Sequence, residues 1–331
     1  MTDSADHRRH GRVRRLIRTA ARVVVVALAT WGLISIVGAR PGIGQFRSVA
    51  GQRDYRSAYA QAMTALPPPT RTADVATDLG TVRAYLWSSP SAAGRTPVLL
   101  LPGRTSGVPM WSENLAGLLA HHSVIAVDAL GDAGLSVQST PLASIEDQAL
   151  WIDEVVRRLA PDGVHLVGHS FGGSTAVTYA RLHPERVSSL VLLEPVFTFG
   201  YPAARLLAWT VLASLPVLPE SWRERALAEV GGGERADPDD PIATMISAGA
   251  AHYSAQLPNP RLLTDAQLAG LSMPVYVAIA DSHSLAGGPR AAARARQLPD
   301  ATVEVWPQTT HSLPMQVAGP LDERLQQFWV D

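Results

Sequence analysis

The chain has 331 residues, 47% of them hydrophobic, enough to bury a substantial core as one large domain or two modest ones. A formal net charge of -1 with 17% charged residues excludes the basic face of a nucleic-acid binder and the charge excess of a disordered acidic chain. There is no cysteine and no lysine, so disulfides, thiolate catalysis, cysteine zinc sites, Schiff-base chemistry and a P-loop lysine are all ruled out.

In chain order, the first element is a basic segment, residues 1–18, followed by an apolar stretch, residues 19–39. Val23 to Ala39 holds 17 residues without a charge. Extended back to Thr19, the stretch makes a helix of roughly 31 Å, about the thickness of a hydrocarbon core. Seven arginines (8, 9, 12, 14, 15, 18 and 22) precede the uncharged run and none lies within it, the asymmetry of the positive-inside rule. The expectation is a single-pass membrane helix with a cytoplasmic N-terminus and an extracytoplasmic domain. The competing expectation is a secreted protein, because Val37-Gly38-Ala39 has the small-residue pattern of a cleavage site and Arg14-Arg15 resembles a twin-arginine signal.

Residues 40–71 read as a spacer with a short helix in "RDYRSAYAQAMTAL", ended by three prolines that lack the amide donor. Beyond it, strand and helix patterns alternate. "TVRAYLW", "PVLLL", "SVIAVD", "VHLV", "VSSLVLL", "PVYVAIA" and "TVEVW" read as strands, and "MWSENLAGLLA", residues 144–160, residues 289–297 and the C-terminus read as helices. Such alternation predicts an α/β fold, a mostly parallel doubly wound sheet covered on both faces. Residues 72–196 and 273–331 form the predicted core. Residues 197–272 interrupt it after the sixth strand and predict a helical cap.

"HLVGHSFGG", residues 165–173, places Ser170 after a strand and before a helix, in the pattern G-x-S-x-G. The glycines permit a tight turn that points the serine outward as a nucleophile, whereas a helix-capping serine would need none of them. A base belongs on a loop that reaches the same rim of the sheet. His311, in "TVEVWPQTTHSLPMQ" after the last strand, is the one of the ten histidines so placed. Glu194 ends the strand "VSSLVLL", 24 residues after Ser170, where a charge at the end of a buried strand needs a partner. Asp128, ending "VIAVD", reads as structural.

The segments "LLLPGRTSGVPMW", "AVDALGDAGLS", "GHSFGG", "HPERVSSLVLLEPVFTF" and "HSLPMQ", in this order, resemble the α/β-hydrolase superfamily over about residues 72–331, and more narrowly a bacterial esterase-like branch. The resemblance implies a triad of Ser170, His311 and a carboxylate. It also implies an oxyanion hole made by the backbone amides of Phe171 and Arg104, the latter after Pro102-Gly103 where many relatives have His-Gly. The guanidinium of Arg104 reads as solvated. Relatives carry the acid after the strand "PVYVAIA", but His283 stands there. Glu194 is the expected acid, as in some α/β-hydrolases, and Asp281 is the alternative. A serine nucleophile implies a hydrolase of carboxylic esters or related acyl compounds acting through an acyl-enzyme, without a cofactor or metal. A haloperoxidase-like or C–C bond hydrolase, or a non-catalytic binding protein on the same scaffold, are the alternatives. The expected partners are a small apolar ester or acyl substrate and the membrane through the N-terminal helix, with no nucleic acid and no obligate protein partner.

Overall fold

Val98–Leu101, Val124–Val127 and Val275–Ala280 are buried along their whole length in the computed structural model, which describes residues 41–214, 218–232, 237 and 239–330. Continuous apolar runs of this kind sit in the interior of a sheet covered on both faces. The strands are Gln45–Phe46 (β1), Arg71–Thr77 (β2), Gly80–Trp87 (β3), Val98–Leu101 (β4), Val124–Val127 (β5), Val137–Gln138 (β6), Val164–His169 (β7), Val187–Leu193 (β8), Tyr253–Ser254 (β9), Val275–Ala280 (β10) and Ala301–Trp306 (β11). Among the described residues, nine of them form one sheet in the order β11-β10-β8-β7-β4-β5-β3-β2, with β6 attached to β3. β4, β5, β7, β8, β10 and β11 are mutually parallel, and β2, β3 and β6 close the edge antiparallel. This is the mostly parallel, doubly wound α/β sheet expected from the sequence.

Two apolar layers hold the sheet. On one face Trp151, Ile152 and Val155 of helix Asp147–Leu159, Tyr179 of helix Phe171–Leu182 and Ala291 of helix Gly288–Ala295 are buried together. On the other, Leu115 of helix Ser112–His121 and Leu321 of helix Ala318–Val330 join Tyr55 and Tyr59 of helix Val49–Met63. The last helix corrects one expectation. Residues 41–71 are not a detached spacer, because Tyr55, Tyr59 and Ala62 are core residues and the Tyr59 hydroxyl donates to buried Asp128 at 3.1 Å. The expected membrane segment, residues 19–39, and the basic residues 1–18 lie outside the described residues. Among those described, no helix is long and apolar enough to cross a membrane.

The 197–272 insertion carries helices Ala204–Ser214, Glu220–Gly231, Pro241–His252 and Asp265–Ala269. Helix Pro241–His252 packs against helix Val49–Met63 so closely that a Cβ on Gly51 would stand 2.7 Å from the His252 ring, and β9 pairs with β1 beside it. Helix Glu220–Gly231 ends over the last loop of the sheet, where the Gly231 carbonyl accepts from the hydroxyls of Thr310 at 2.8 Å and Ser312 at 3.3 Å.

Candidate active site

Parallel strands bring their carboxyl ends to one rim, and register decides which loops meet there. His169 of β7 lies opposite Leu193 of β8, so the next residues, Ser170 and Glu194, leave the sheet side by side. Ser170 has φ 55° and ψ -119°, a conformation that costs of order 1–3 kcal/mol for a residue with a side chain and persists only where its surroundings enforce it. The turn is enforced from three sides. A Cβ on Gly168 would collide with the Gly172 carbonyl, one on Gly172 with the carbonyls of Leu101 and Pro102, and one on Gly173 would lie 2.9 Å from Pro195. The Ser170 amide donates to the Leu193 carbonyl at 3.0 Å, and the Ser170 carbonyl accepts from Val196 at 3.3 Å, which ties the turn to the neighbouring strand end.

The structure brings three of the sequence-derived candidates into one line. His311 Nε2 is 2.8 Å from Ser170 Oγ, and His311 Nδ1 is 3.0 Å from Glu194 Oε2. Glu194 has no exposed surface and is held by four further donors: the Ala280 amide at 2.7 Å, the Ser284 hydroxyl at 2.8 Å, the Leu285 amide at 3.0 Å and the Ala286 amide at 3.3 Å. Those donors come from the last residue of β10 and the loop after it, which wraps around a carboxylate directly after β8. Glu194 itself has φ 50°, which turns its side chain into that loop.

Asp281, the alternative acid, does not join them. It is exposed, and its oxygens accept the amides of Gln308 at 3.0 Å and Thr309 at 3.3 Å, so it braces the segment leading to His311 rather than the imidazole. His283 turns outward as well, with Nε2 3.4 Å from the Arg205 guanidinium.

The amides of Phe171 and Arg104 donate to no acceptor among the described residues, and the Arg104 guanidinium lies 5.6 Å from the centre of the Phe171 ring. The two sequence-derived oxyanion donors thus start from adjoining residues, and Arg104 is exposed. Gly103, the residue before it, is closely packed, since a Cβ there would lie 3.0 Å from His169 Nδ1 and 3.2 Å from Ser170 Cβ.

Two neighbours escaped the sequence reading. His169 is buried directly before the nucleophile candidate. Its Nε2 is 2.9 Å from the His311 carbonyl, and the two rings lie 4.9 Å apart. Burial, then the nearby His311, hold its pKa down at about 3, so it is neutral and donates Nε2–H to that carbonyl. Asp132 is buried with its carboxylate on the Thr105 amide at 2.8 Å, and its pKa is raised by burial against the opposing pull of Arg104. Asp128, read as structural, is buried too. Desolvation pushes it up to about 6, while the amides of Val108 at 3.0 Å and Leu135 at 2.7 Å act against that rise. The motif "GHS" and the pair of aspartates in "DALGD" were the available signals, but their partners are backbone atoms.

Beside Ser170 the wall is apolar. Phe171, Val196, Leu206 and Leu285 pack together, with Ile145, Phe197, Val230 and Leu257 against them. These residues come from the nucleophile turn, the segment before helix Asp147–Leu159, the loops after β8 and β10, and the cap. Ser170 and His311 each keep only 9% of their surface exposed. Among the described residues no group of three or more His, Asp or Glu side chains could hold a metal ion.

The family model described as the alpha/beta hydrolase family matches residues 98–323. The carboxylesterase YbfK of Bacillus subtilis is 30% identical over 155 residues, 47% of this chain and 51% of that protein. The chain thus matches about half the length of that relative. Among solved structures, the carboxylesterase CesB (YbfK) of Bacillus subtilis superposes with a TM-score of 0.76 at 24% identity, covering 85% of this chain and 99% of the other. The naproxen esterase (carboxylesterase NP) of Bacillus subtilis gives a TM-score of 0.76 at 21% identity, covering 86% and 99%. At such identities the superpositions speak for the fold alone, but the family model spans more than half of the chain, and the chain belongs to the alpha/beta hydrolase family.

Proposed function

We propose that the protein is a serine hydrolase of small apolar carboxylic esters. The observation that carries the reading is the continuous hydrogen-bonded line from Ser170 Oγ through His311 to Glu194, aimed from the rim of the sheet into an apolar wall. Its partial likeness to a carboxylesterase supports the choice of ester over other acyl compounds.

In this mechanism His311 Nε2 takes the Ser170 proton as Oγ attacks the ester carbonyl. Glu194 holds the imidazole with its Nδ1–H toward the carboxylate and stabilises the imidazolium that forms. The amides of Phe171 and Arg104 receive the oxyanion, each such donor being worth about 2.7–4 kcal/mol in transition-state terms. Collapse breaks the carbon–oxygen bond to the alcohol, which leaves with the proton from His311, and Ser170 is left acylated. Water, deprotonated by His311, then attacks the acyl-enzyme, and the acid departs as the proton returns to Ser170.

The test is a chain-length series of p-nitrophenyl esters with acid quench and intact-mass measurement. Acyl adducts on Ser170 are expected, and Ser170→Ala should abolish both adduct and turnover. A folded wild type that leaves every ester intact would sink the esterase reading in favour of a binding role on this scaffold. Undiminished turnover in Ser170→Ala would move the chemistry elsewhere.

Residues 19–39 are proposed as a single membrane-spanning helix that leaves the catalytic domain outside the cytoplasm. The support is the uncharged run of 17 residues, Val23 to Ala39, behind seven arginines. The full chain should sediment with membranes and yield its domain to external protease. A soluble product beginning near residue 40 would establish cleavage and secretion instead.

A further inference from the structure

We propose that Asp132 is a positioning residue for the oxyanion-binding loop, holding the Arg104 amide in place through the backbone of Thr105; the inference rests on the serine-hydrolase reading above. The loop after β4 has little else to define it. It carries Pro102, Gly103 and Arg104, then Thr105 at φ 60°, a left-handed conformation that a threonine keeps only when its surroundings impose it. The hydroxyls of Thr105 at 2.7 Å and Ser106 at 3.2 Å both donate to the Arg104 carbonyl, and the Ser106 amide donates to the Gly103 carbonyl at 3.3 Å. These bonds are internal to the loop, so they shape it without fixing it to the body.

Two buried carboxylates make the outward attachment, and they do so in the same way. Asp132 accepts the Thr105 amide on Oδ2 at 2.8 Å and its own neighbour, the Ala133 amide, on Oδ1 at 2.8 Å. Asp128 accepts the Val108 amide on Oδ1 at 3.0 Å and the Leu135 amide on Oδ2 at 2.7 Å. Each aspartate therefore stitches the loop after β4 to the loop after β5. Their positions divide the work. Asp128 also takes the Tyr59 hydroxyl and grips the far end of the loop, four residues beyond Arg104, so its loss should fall on folding. Asp132 grips the residue next to the proposed donor. Asp132 makes the hydrogen bond that ties the Thr105 backbone to the neighbouring loop, and without it relaxation of that one residue rotates the adjoining peptide and carries the Arg104 amide off its aim. Because a displaced donor costs transition-state and not ground-state binding, the loss should appear in kcat.

The experiment compares full-length wild type, Asp132→Ala and Asp132→Asn. For Asp132→Ala, kcat on the best ester should fall about 10- to 100-fold with KM within about 3-fold, since removing one oxyanion donor outright costs about 10²–10³. The affinity of a trifluoromethyl ketone, which forms a tetrahedral oxyanion on the serine, should fall by the same factor as kcat/KM. Binding of an ether isostere of the ester, which forms none, should not change. Asp132→Asn keeps one oxygen but turns an amino group toward one of the two amides, so it should lie between the other two proteins. Amide hydrogen exchange of Thr105 and Ser106, whose amides are hydrogen-bonded, should be slow in wild type and fast in Asp132→Ala, with the rest of the sheet unaltered.

A kcat/KM in Asp132→Ala within about 3-fold of wild type, or a loss confined to KM, would overturn the proposal. An unchanged ketone affinity beside a lowered kcat would do the same. If Asp132→Ala does not fold, the same ketone and exchange measurements on Asp132→Asn decide. A wild type inert to every ester and to the ketone would overturn the hydrolase reading instead. In that case the exchange arm still judges the attachment, and unaltered protection in both variants would refute it.

Discussion

The loops after β8 and after β10 each present a carboxylate, Glu194 and Asp281, and the two have opposite fates. Glu194 is fully buried and gathers four donors besides His311; Asp281 is exposed and takes two backbone amides of the segment before His311. The difference lies in which loop supplies charge and which supplies donors. In the proposed triad the end of β10 and the loop after it supply not the acid but a cage of N–H and O–H groups around a glutamate directly after the neighbouring strand β8. A buried carboxylate is tolerated when its lone pairs are matched in this way, and the same donors fix the direction in which it faces the imidazole.

The sharpest way to break the comparison is Glu194→Gln. If this carboxylate orients His311, kcat should drop about 10⁴-fold, the cost of the equivalent change in a well-studied protease. Circular dichroism and Tm must accompany the rates, because the glutamine places an amino group among donors. The second variant adds His283→Asp to Glu194→Gln, which puts an acid at the position where the family resemblance implies one. His283 faces Arg205 while the next three residues face position 194, so no recovery is expected; a gain above about tenfold would mean that the loops are interchangeable.

Ser284→Ala removes one donor from Glu194 and leaves the Gly288 amide, which donates to Ser284 at 2.9 Å, without its acceptor. A hydrogen bond to a charged group is worth about 1.5–3 kcal/mol, and the loss should show as that much stability with about tenfold in kcat. The smallest effect belongs to Asp281→Asn, with kcat within about 3-fold of wild type and Tm lowered by less than about 5 °C. A thousandfold loss there would reverse the two assignments.

The sheet and the placement of Ser170 and His311 were legible because they depend on local pattern: apolar runs, a G-x-S-x-G turn between strand and helix, and a histidine after the last strand. The choice between Glu194 and Asp281 was only half legible. Sequence spacing puts both at strand ends on one rim, but the direction in which the loop after β10 curls depends on φ 44° at His283 and φ 50° at Glu194. His169 and Asp132 were illegible for another reason. Their partners are the carbonyl of His311 and the amide of Thr105, and no side-chain identity records such a contact. The segment before β2 read as a spacer because three prolines cut its helix off from the alternating strand and helix pattern, yet Tyr55 and Tyr59 stand four residues apart on the face that closes the core.

The most direct test of the account is the rate at which a fluorophosphonate captures Ser170, followed by intact mass, in wild type, Glu194→Gln and Asp281→Asn under identical conditions. Capture needs the serine activated by an oriented imidazole, and it involves neither ester binding nor deacylation. The account predicts capture at close to the wild-type rate in Asp281→Asn and a fall of at least a thousandfold in Glu194→Gln. Equal rates in wild type and Glu194→Gln, with both proteins folded, would contradict it.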